Sequence, residues 1–260
     1  MNRYLRHTHT AFYGIVAALP LLVAYELLLL ADRTAGVVQI RNAADVWLRL
    51  LLASLGVQPH QATLAMIFLL LLAIPVVYRR EVPLRAGYLA LVVIEAAVYS
   101  LVLGLVIQVI LRLLLAPMLG VLGALPSVAG LPFQTALPLQ TALPLQSASW
   151  EGGGVSQRLA MSLGAGLFEE FFFRVVLLSL LLSVARAIFA GWLAATVSIF
   201  GAAFLFALAH HVGPLGDPLT VPIFLYRWIA GLLFTVLYYS RGFAVVAYAH
   251  ALYDIRILLL

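Results

Sequence analysis

Two adjacent carboxylates and an arginine lie in an otherwise apolar run, LFEEFFFR, over residues 167–174, and they are the first candidates for chemistry. An ionisable side chain at the depth of a lipid bilayer costs several kcal/mol unless it is paired or faces a wet cavity. Charged residues in such a position therefore indicate a functional site.

Helical spacing divides this cluster into a pair and a single acid. Residues four apart lie on one face of a helix, whereas neighbours are turned by about 100°. Glu170 and Arg174 are predicted to form an ion pair, because a buried arginine keeps its charge and needs a counter-ion. That pair could be purely structural. Glu169 has no cation in its own helix and points along a different face, so we interpret it as a candidate general base.

Histidines in the second half of the chain could meet Glu169 from other helices. His210 and His211 end one apolar stretch, and His250 lies in the last one, with Asp254 four residues further on. A glutamate and two histidines that converge from three helices on one water are a recurring arrangement for activating it.

The elements that would position these residues are membrane-spanning helices. The chain has 260 residues, of which 65% are hydrophobic and only 10% are charged, and its mean hydropathy is +1.10. A spanning helix needs about 20 predominantly apolar residues. The sequence therefore predicts an all-α, polytopic transmembrane bundle of about seven or eight spans.

The apolar stretches give the predicted order of the bundle. Spans are expected over residues 11–31, 63–78, 87–115, 155–185, 188–211, 219–240 and 243–260. Residues 43–57 are shorter and carry Asp45 and Arg49, which is typical of an amphipathic helix at the membrane interface. In addition to the seven spans, an eighth element is expected that is either interfacial or re-entrant.

A region rich in Pro, Gly, Ser and Gln, which repeats the hexapeptide TALPLQ, separates the two halves of the chain. Such a composition predicts a loop. We divide the chain accordingly into N-terminal transmembrane helices with one interfacial helix (1–116), this loop (117–156) and a catalytic helical core (157–260).

The distribution of charge predicts a lipid environment and an orientation. The net charge of +5 comes from arginine, and no basic stripe is interleaved with aromatic residues, so the bilayer rather than a nucleic acid is the expected partner. Arg79, Arg80 and Arg85 form the densest basic loop, which favours the cytoplasmic side. If Arg186 and Arg241 lie there too, the site opens toward the outer half of the membrane. Cysteine is absent, which excludes a cysteine nucleophile.

Three motifs resemble, in their order and spacing, those of the CPBP or Abi family of intramembrane proteases, bacterial relatives of the eukaryotic CAAX prenyl endopeptidase. The motifs are Glu169-Glu170-x-x-x-Arg174, Phe206-x-x-x-His210 and His250-x-x-x-Asp254. The resemblance covers roughly residues 158–256. It favours His210 over His211, since Phe206 lies one turn before His210 and could pack against it.

The resemblance implies that Glu169 and His210 activate a water, while His250 and Asp254 stabilise the oxyanion. Glu170, Arg174 and Phe206 would support them. The position of Asp254 is often asparagine in the family, and an ionised aspartate would repel an oxyanion. Asp254 is therefore expected either to be protonated or to accept a hydrogen bond from His250 and orient its ring.

The expected function is hydrolysis of a peptide bond near the C-terminus or membrane boundary of a membrane-associated peptide or protein, in the bacterial cytoplasmic membrane. No cofactor is expected. Zinc is less favoured, because two histidines and a glutamate resemble a ligand set but the H-E-x-x-H signature is absent. Two other classes stay open. One is a proton-coupled carrier in which Glu26, Glu95, Glu169 and the histidines form a relay, and the other is a non-catalytic immunity or scaffold protein on the same fold.

Overall fold

Eight helices make up most of the part of the chain that a computed structural model describes, which is residues 3–34, 40–78, 82–115, 154–213 and 216–259. They are α1 (Arg3–Thr8), α2 (Ala11–Thr34), α3 (Ala43–Ser54), α4 (Ala62–Val77), α5 (Ala86–Leu115), α6 (Val155–Ile188), α7 (Gly191–Ala209) and α8 (Val221–Leu259). A 3₁₀ turn, Pro59–Gln61, leads into α4.

Six of these helices, α2 and α4 to α8, are long and apolar enough to cross a membrane. The described residues form no strand. The all-α polytopic bundle that the sequence predicts is therefore confirmed, and the protein is an integral membrane protein.

A bend in α8 accounts for the difference between six long helices and seven predicted spans. Gly242 has a non-helical backbone (φ 79°, ψ −179°), a conformation that glycine adopts easily because it lacks a Cβ. The two segments on either side of it fold back on each other, since the Tyr226 and Tyr253 hydroxyls lie 2.7 Å apart. These segments correspond to the spans predicted over 219–240 and 243–260. Most of the predicted loop, residues 117–153, lies outside the described residues.

The main apolar core joins the two halves of the chain. It packs α5 against both segments of α8, and its fully buried members include Val92, Ile107, Phe234 and Val245. The N-terminal helices thus form part of the support on which the C-terminal helices rest.

Helix α3 is tied to α2 and to the start of α4 by a compact ionic network. Arg41 and Arg49 each pair with both Glu26 and Asp45, at N–O distances between 2.5 and 3.0 Å. Thr63 adds a hydrogen bond to Glu26 of 3.0 Å. The network has two cations and two anions and therefore no net charge, which lowers the desolvation cost of placing it in an apolar bundle.

Helices α6 and α8 approach each other closely at Gly166. A Cβ at this position would lie 2.3 Å from the carbonyl oxygen of Ala247 and 2.7 Å from the Cβ of Ala251. Small residues allow helix backbones to come this close. The contact brings the turn that carries Glu169 and Glu170 next to the part of α8 that carries His250.

We expect Gly166→Ala to destabilise the protein, because a methyl group would overlap the backbone of α8. Overpacking of this kind costs about 1–3 kcal/mol. Gly201→Ala is the matched control, since the nearest atom to its added Cβ is 3.8 Å away and alanine has the higher helix propensity. Thermal unfolding in detergent micelles measures the difference, and equal melting temperatures for the two variants would contradict the prediction.

Candidate active site

Helix α6 departs from regular α-helical geometry where the charged residues lie. Ala165–Glu169 and Phe171–Leu177 are π-helical, between α-helical segments Val155–Gly164 and Leu178–Ile188. The sequence pattern predicts an uninterrupted helix here. Wide π turns are rare and occur frequently at functional sites, where they change the direction in which side chains point.

The predicted ion pair between Glu170 and Arg174 is present and buried. Glu170 Oε1 lies 3.0 Å from Arg174 Nη1, and the two side chains are 0% and 2% exposed. Arg174 also donates a hydrogen bond of 3.2 Å to the carbonyl of Gly231 and lies 4.5 Å from the centre of the Phe206 ring. The guanidinium is thus held by a carboxylate, a carbonyl and an aromatic face.

Glu170 has a second partner, His250, which sequence reasoning missed. His250 Nδ1 lies 2.6 Å from Glu170 Oε1. An ionised carboxylate only accepts hydrogen bonds, so Nδ1 is the donor and carries a proton. The imidazole also stacks on Phe234, with ring centres 4.4 Å apart and planes inclined by 21°. Glu170 and Phe234 together determine the orientation of the His250 ring.

Asp254 does not orient that ring. Its Oδ2 lies 3.7 Å from His250 Nε2, which is too long for a hydrogen bond. The expectation that Asp254 accepts from His250 is therefore not met, because Glu170 holds the imidazole through the other nitrogen. Asp254 nevertheless lies beside the nitrogen that remains available for chemistry.

Glu169 faces His210 across a short gap. Glu169 Oε2 lies 3.6 Å from His210 Nε2, and this oxygen is buried without a hydrogen-bond partner in the described part of the chain. His210 Nδ1 is 2.7 Å from the carbonyl oxygen of Phe206, which can only accept, so Nδ1 is the donor. In the tautomer with one proton, at Nδ1, the lone pair of His210 Nε2 therefore points toward Glu169.

The structure also distinguishes His210 from its neighbour. Phe206 packs against the His210 ring at 4.6 Å between centres, as predicted. His211 Nδ1 instead lies 2.9 Å from the carbonyl oxygen of Asp217, and its ring stacks on Phe224. Its contacts therefore stabilise the connection after α7, and the geometry favours His210 for the site.

Asn42, which lies just before α3, completes the surroundings of Glu169. Its Nδ2 donates a hydrogen bond of 2.7 Å to Glu169 Oε1. The first half of the chain thus contributes a contact to the candidate site that lies outside the three motifs. A single asparagine in front of an amphipathic helix is typical of an N-cap, so its residue type gave no further signal.

A cleft of about 160 Å³ lies beside these groups, and its lining includes Asn42, Glu169, His210, Arg41 and Arg227. Burial alone would lower the pKa of Arg41, but its hydrogen bonds to Glu26 and Asp45 raise that pKa above the usual value. Arg41 therefore stays charged at the edge of the cleft, with its charge compensated.

A second cavity of about 200 Å³, lined entirely by apolar residues, adjoins this cleft and shares Ala44 and Trp47 with it. Within the described ranges, no three His, Asp or Glu side chains are grouped closely enough to hold a metal ion. The site thus combines a small polar cleft with an apolar neighbour.

The fold and the site together define a polytopic helical membrane protein with a buried carboxylate–histidine centre. Residues 152–256, which include all of α6 and α7 and most of α8, match the family model described as type II CAAX prenyl endopeptidase Rce1-like. The match supports the resemblance to the CAAX protease family that the three motifs predict. In general terms, the match supports a CAAX-type intramembrane endopeptidase. Searches of curated proteins and of solved structures gave no match.

The two adjacent glutamates should differ in their effect on stability. Glu170→Gln leaves Arg174 as a buried cation without its counter-ion, which costs about 3–5 kcal/mol. Glu169→Gln retains an acceptor for Asn42 and deprives no buried arginine of its counter-ion, so its unfolding temperature should stay near that of the wild type.

Thermal unfolding of the two variants in the same detergent tests this difference. The double variant Glu170→Gln/Arg174→Met should recover part of the loss, because it removes the cation as well. If Glu170→Gln and Glu169→Gln melted at the same temperature, the ion pair would not have the structural role that its burial indicates.

Proposed function

We propose that the protein is a glutamate-dependent intramembrane endopeptidase in which Glu169 and His210 activate a water. The observation that carries the proposal is the 3.6 Å gap between Glu169 Oε2 and His210 Nε2, beside a cleft and with no other partner for the carboxylate oxygen in the described residues. Two acceptors that face each other across such a gap suit a water that donates to both.

In the proposed reaction, Glu169 takes a proton from this water while the water oxygen bonds to the carbonyl carbon of the scissile peptide. The tetrahedral intermediate then collapses with cleavage of the C–N bond. Glu169 returns the proton to the leaving nitrogen, so that one water is consumed and the base is regenerated.

His250 is assigned to the oxyanion. Its Nδ1–H is engaged by Glu170, and the carboxylate compensates the positive charge of the ring when Nε2 is protonated as well. The Nε2–H can then donate to the developing oxyanion. Since Asp254 does not orient the ring, we assign it the other role expected for it, in which its protonated carboxyl group donates on the same side.

The proposed substrate is a membrane-associated peptide or protein, cut near its C-terminus or at the membrane boundary. The apolar cavity next to the cleft supports this class, because an apolar segment of the substrate could remain out of water while its peptide bond reaches Glu169. The proposed location is the bacterial cytoplasmic membrane.

The order of the helices supports a position of the cleft at the end of the bundle away from the connections that contain Arg85 and Arg186. Helix α7 begins shortly after Arg186 and ends at His210, and α5 begins next to Arg85. The positive-inside rule assigns the end with Arg85 and Arg186 to the cytoplasm. We therefore propose that the cleft opens toward the outer half of the membrane.

Single cysteines can test this orientation cleanly, because the natural sequence contains none. Ala190 and Val212 are exposed and lie at opposite ends of α7. In intact cells, a membrane-impermeant maleimide should label Val212→Cys, whereas Ala190→Cys should react only after permeabilisation. The reverse labelling pattern would place the cleft on the cytoplasmic side.

Glu169→Gln tests the proposed chemistry. The variant should keep its fold but lose cleavage by about 10²- to 10⁴-fold, which is the usual contribution of a general base. Mass spectrometry of protein C-termini, in membranes that contain either the wild type or the variant, identifies the products that disappear. His210→Gln should resemble Glu169→Gln, and His211→Gln, whose ring faces away from the cleft, is its matched control.

Several outcomes would contradict the proposal. Full cleavage by Glu169→Gln would show that Glu169 is not the general base. Activity that is lost on addition of a chelator and restored by zinc would indicate a metalloprotease. A carrier would show flux in proteoliposomes without cleavage. Two acids of the hypothetical proton relay are already held in ion pairs, however: Glu26 by the α3 network, and Glu95 by Arg241 at 2.5 Å. An unchanged cellular phenotype in Glu169→Gln would indicate a scaffold.

A further inference from the structure

Asn42 connects the first half of the chain to Glu169 in a single defined orientation. Its Oδ1 accepts a hydrogen bond of 2.9 Å from the backbone nitrogen of Ala44, the N-cap interaction of α3. This interaction distinguishes the oxygen of the side-chain amide from its nitrogen, so Nδ2 is the atom that lies 2.7 Å from Glu169 Oε1. The Asn42 side chain therefore accepts one hydrogen bond from α3 and donates another to Glu169.

The position of Asn42 is fixed from several directions. Its backbone nitrogen donates to the Tyr25 hydroxyl at 3.3 Å, and that hydroxyl donates to Asp45 at 2.9 Å. On the side of α6, a Cβ at Gly164 would lie 2.9 Å from the Cβ of Asn42, so the approach requires a glycine. Asn42 is only 3% exposed, and it cannot move without disturbing α2, α3 or α6.

This fixed donor decides how the Glu169 carboxylate is turned. The terminal torsion of a glutamate side chain is broad, so packing alone does not select one orientation. The hydrogen bond from Asn42 occupies Oε1, which leaves Oε2 as the oxygen that faces His210 Nε2 at 3.6 Å. The gap in which the proposed water would lie thus depends on an amide that belongs to none of the three motifs.

We infer that Asn42 is a positioning residue for Glu169, with the ionic network of α3 as its support. The inference rests on the proposed function, since it concerns the orientation of the proposed base. It also extends the active site to the N-terminal helices, outside residues 152–256 that match the family.

Two substitutions separate this role from helix capping. Asn42→Ser retains an N-cap acceptor but has no amide to reach Glu169, whereas Asn42→Ala loses both interactions. The probe is a peptide whose cleavage is lost in Glu169→Gln. We expect kcat to fall about 100-fold in both variants, as small misplacements of reacting groups cause, with KM nearly unchanged. The melting temperature should fall clearly only in Asn42→Ala.

A third variant leaves Asn42 in place. Gly164→Ala should push Asn42 away from Glu169 and lower kcat in the same direction, while Gly201→Ala, with an uncrowded Cβ, should keep the wild-type rate. If the three variants lost activity only in proportion to their melting temperatures, or if Asn42→Ser kept the wild-type kcat, Asn42 would be no more than a helix cap and the inference would be overturned.

An infrared measurement tests the contact without any hydrolysis. The difference spectrum between a protein and its own Glu169→Gln variant isolates the carboxylate bands of Glu169. These bands should shift when the comparison is repeated in the Asn42→Ser background, because the carboxylate loses a hydrogen bond. Unshifted bands would overturn the inference. Shifted bands in a protein that cleaves nothing would instead overturn the proposed function, and with it the catalytic purpose of the contact.

Discussion

The need to compensate charge in an apolar bundle is the constraint on which the rest of this structure depends. A buried carboxylate or guanidinium is tolerated only beside opposite charge or hydrogen-bond donors and acceptors. Glu170 meets this requirement by lying between Arg174 and His250. Glu26, Asp45 and Glu95 meet it through paired arginines. Two of these contacts, Glu95–Arg241 and Glu170–His250, join helices that are distant in sequence.

Glu169 and Glu170 are neighbours in sequence but have opposite environments. Glu170 is surrounded by cationic and aromatic groups and has no exposure, whereas Glu169 has an amide on one oxygen and an open gap on the other. The π-helical turns of α6 are where this division occurs. One acid thus builds the site, and the other remains available for the proposed chemistry.

The predictable part of the structure follows from local patterns. Apolar stretches of spanning length predicted the bundle, and the spacing of four residues predicted the contact between Glu170 and Arg174 and the packing of Phe206 on His210. The contacts from Glu170 to His250 and from Asn42 to Glu169 join residues 80 and 127 positions apart. No periodicity within one helix contains such pairs, because they arise only when α6 packs against α8 and α3 is fixed by its ionic network.

The folding back of α8 at Gly242 has a consequence for biogenesis. Arg174 binds the carbonyl of Gly231 in the first segment, and Glu170 binds His250 in the second, so the ion pair of α6 joins both arms of the hairpin. A ribosome makes α6 before either arm. The nascent chain therefore inserts its acids into the membrane well before His250 arrives. The contacts of this ion pair with both arms can therefore be complete only after the second arm has packed against α6.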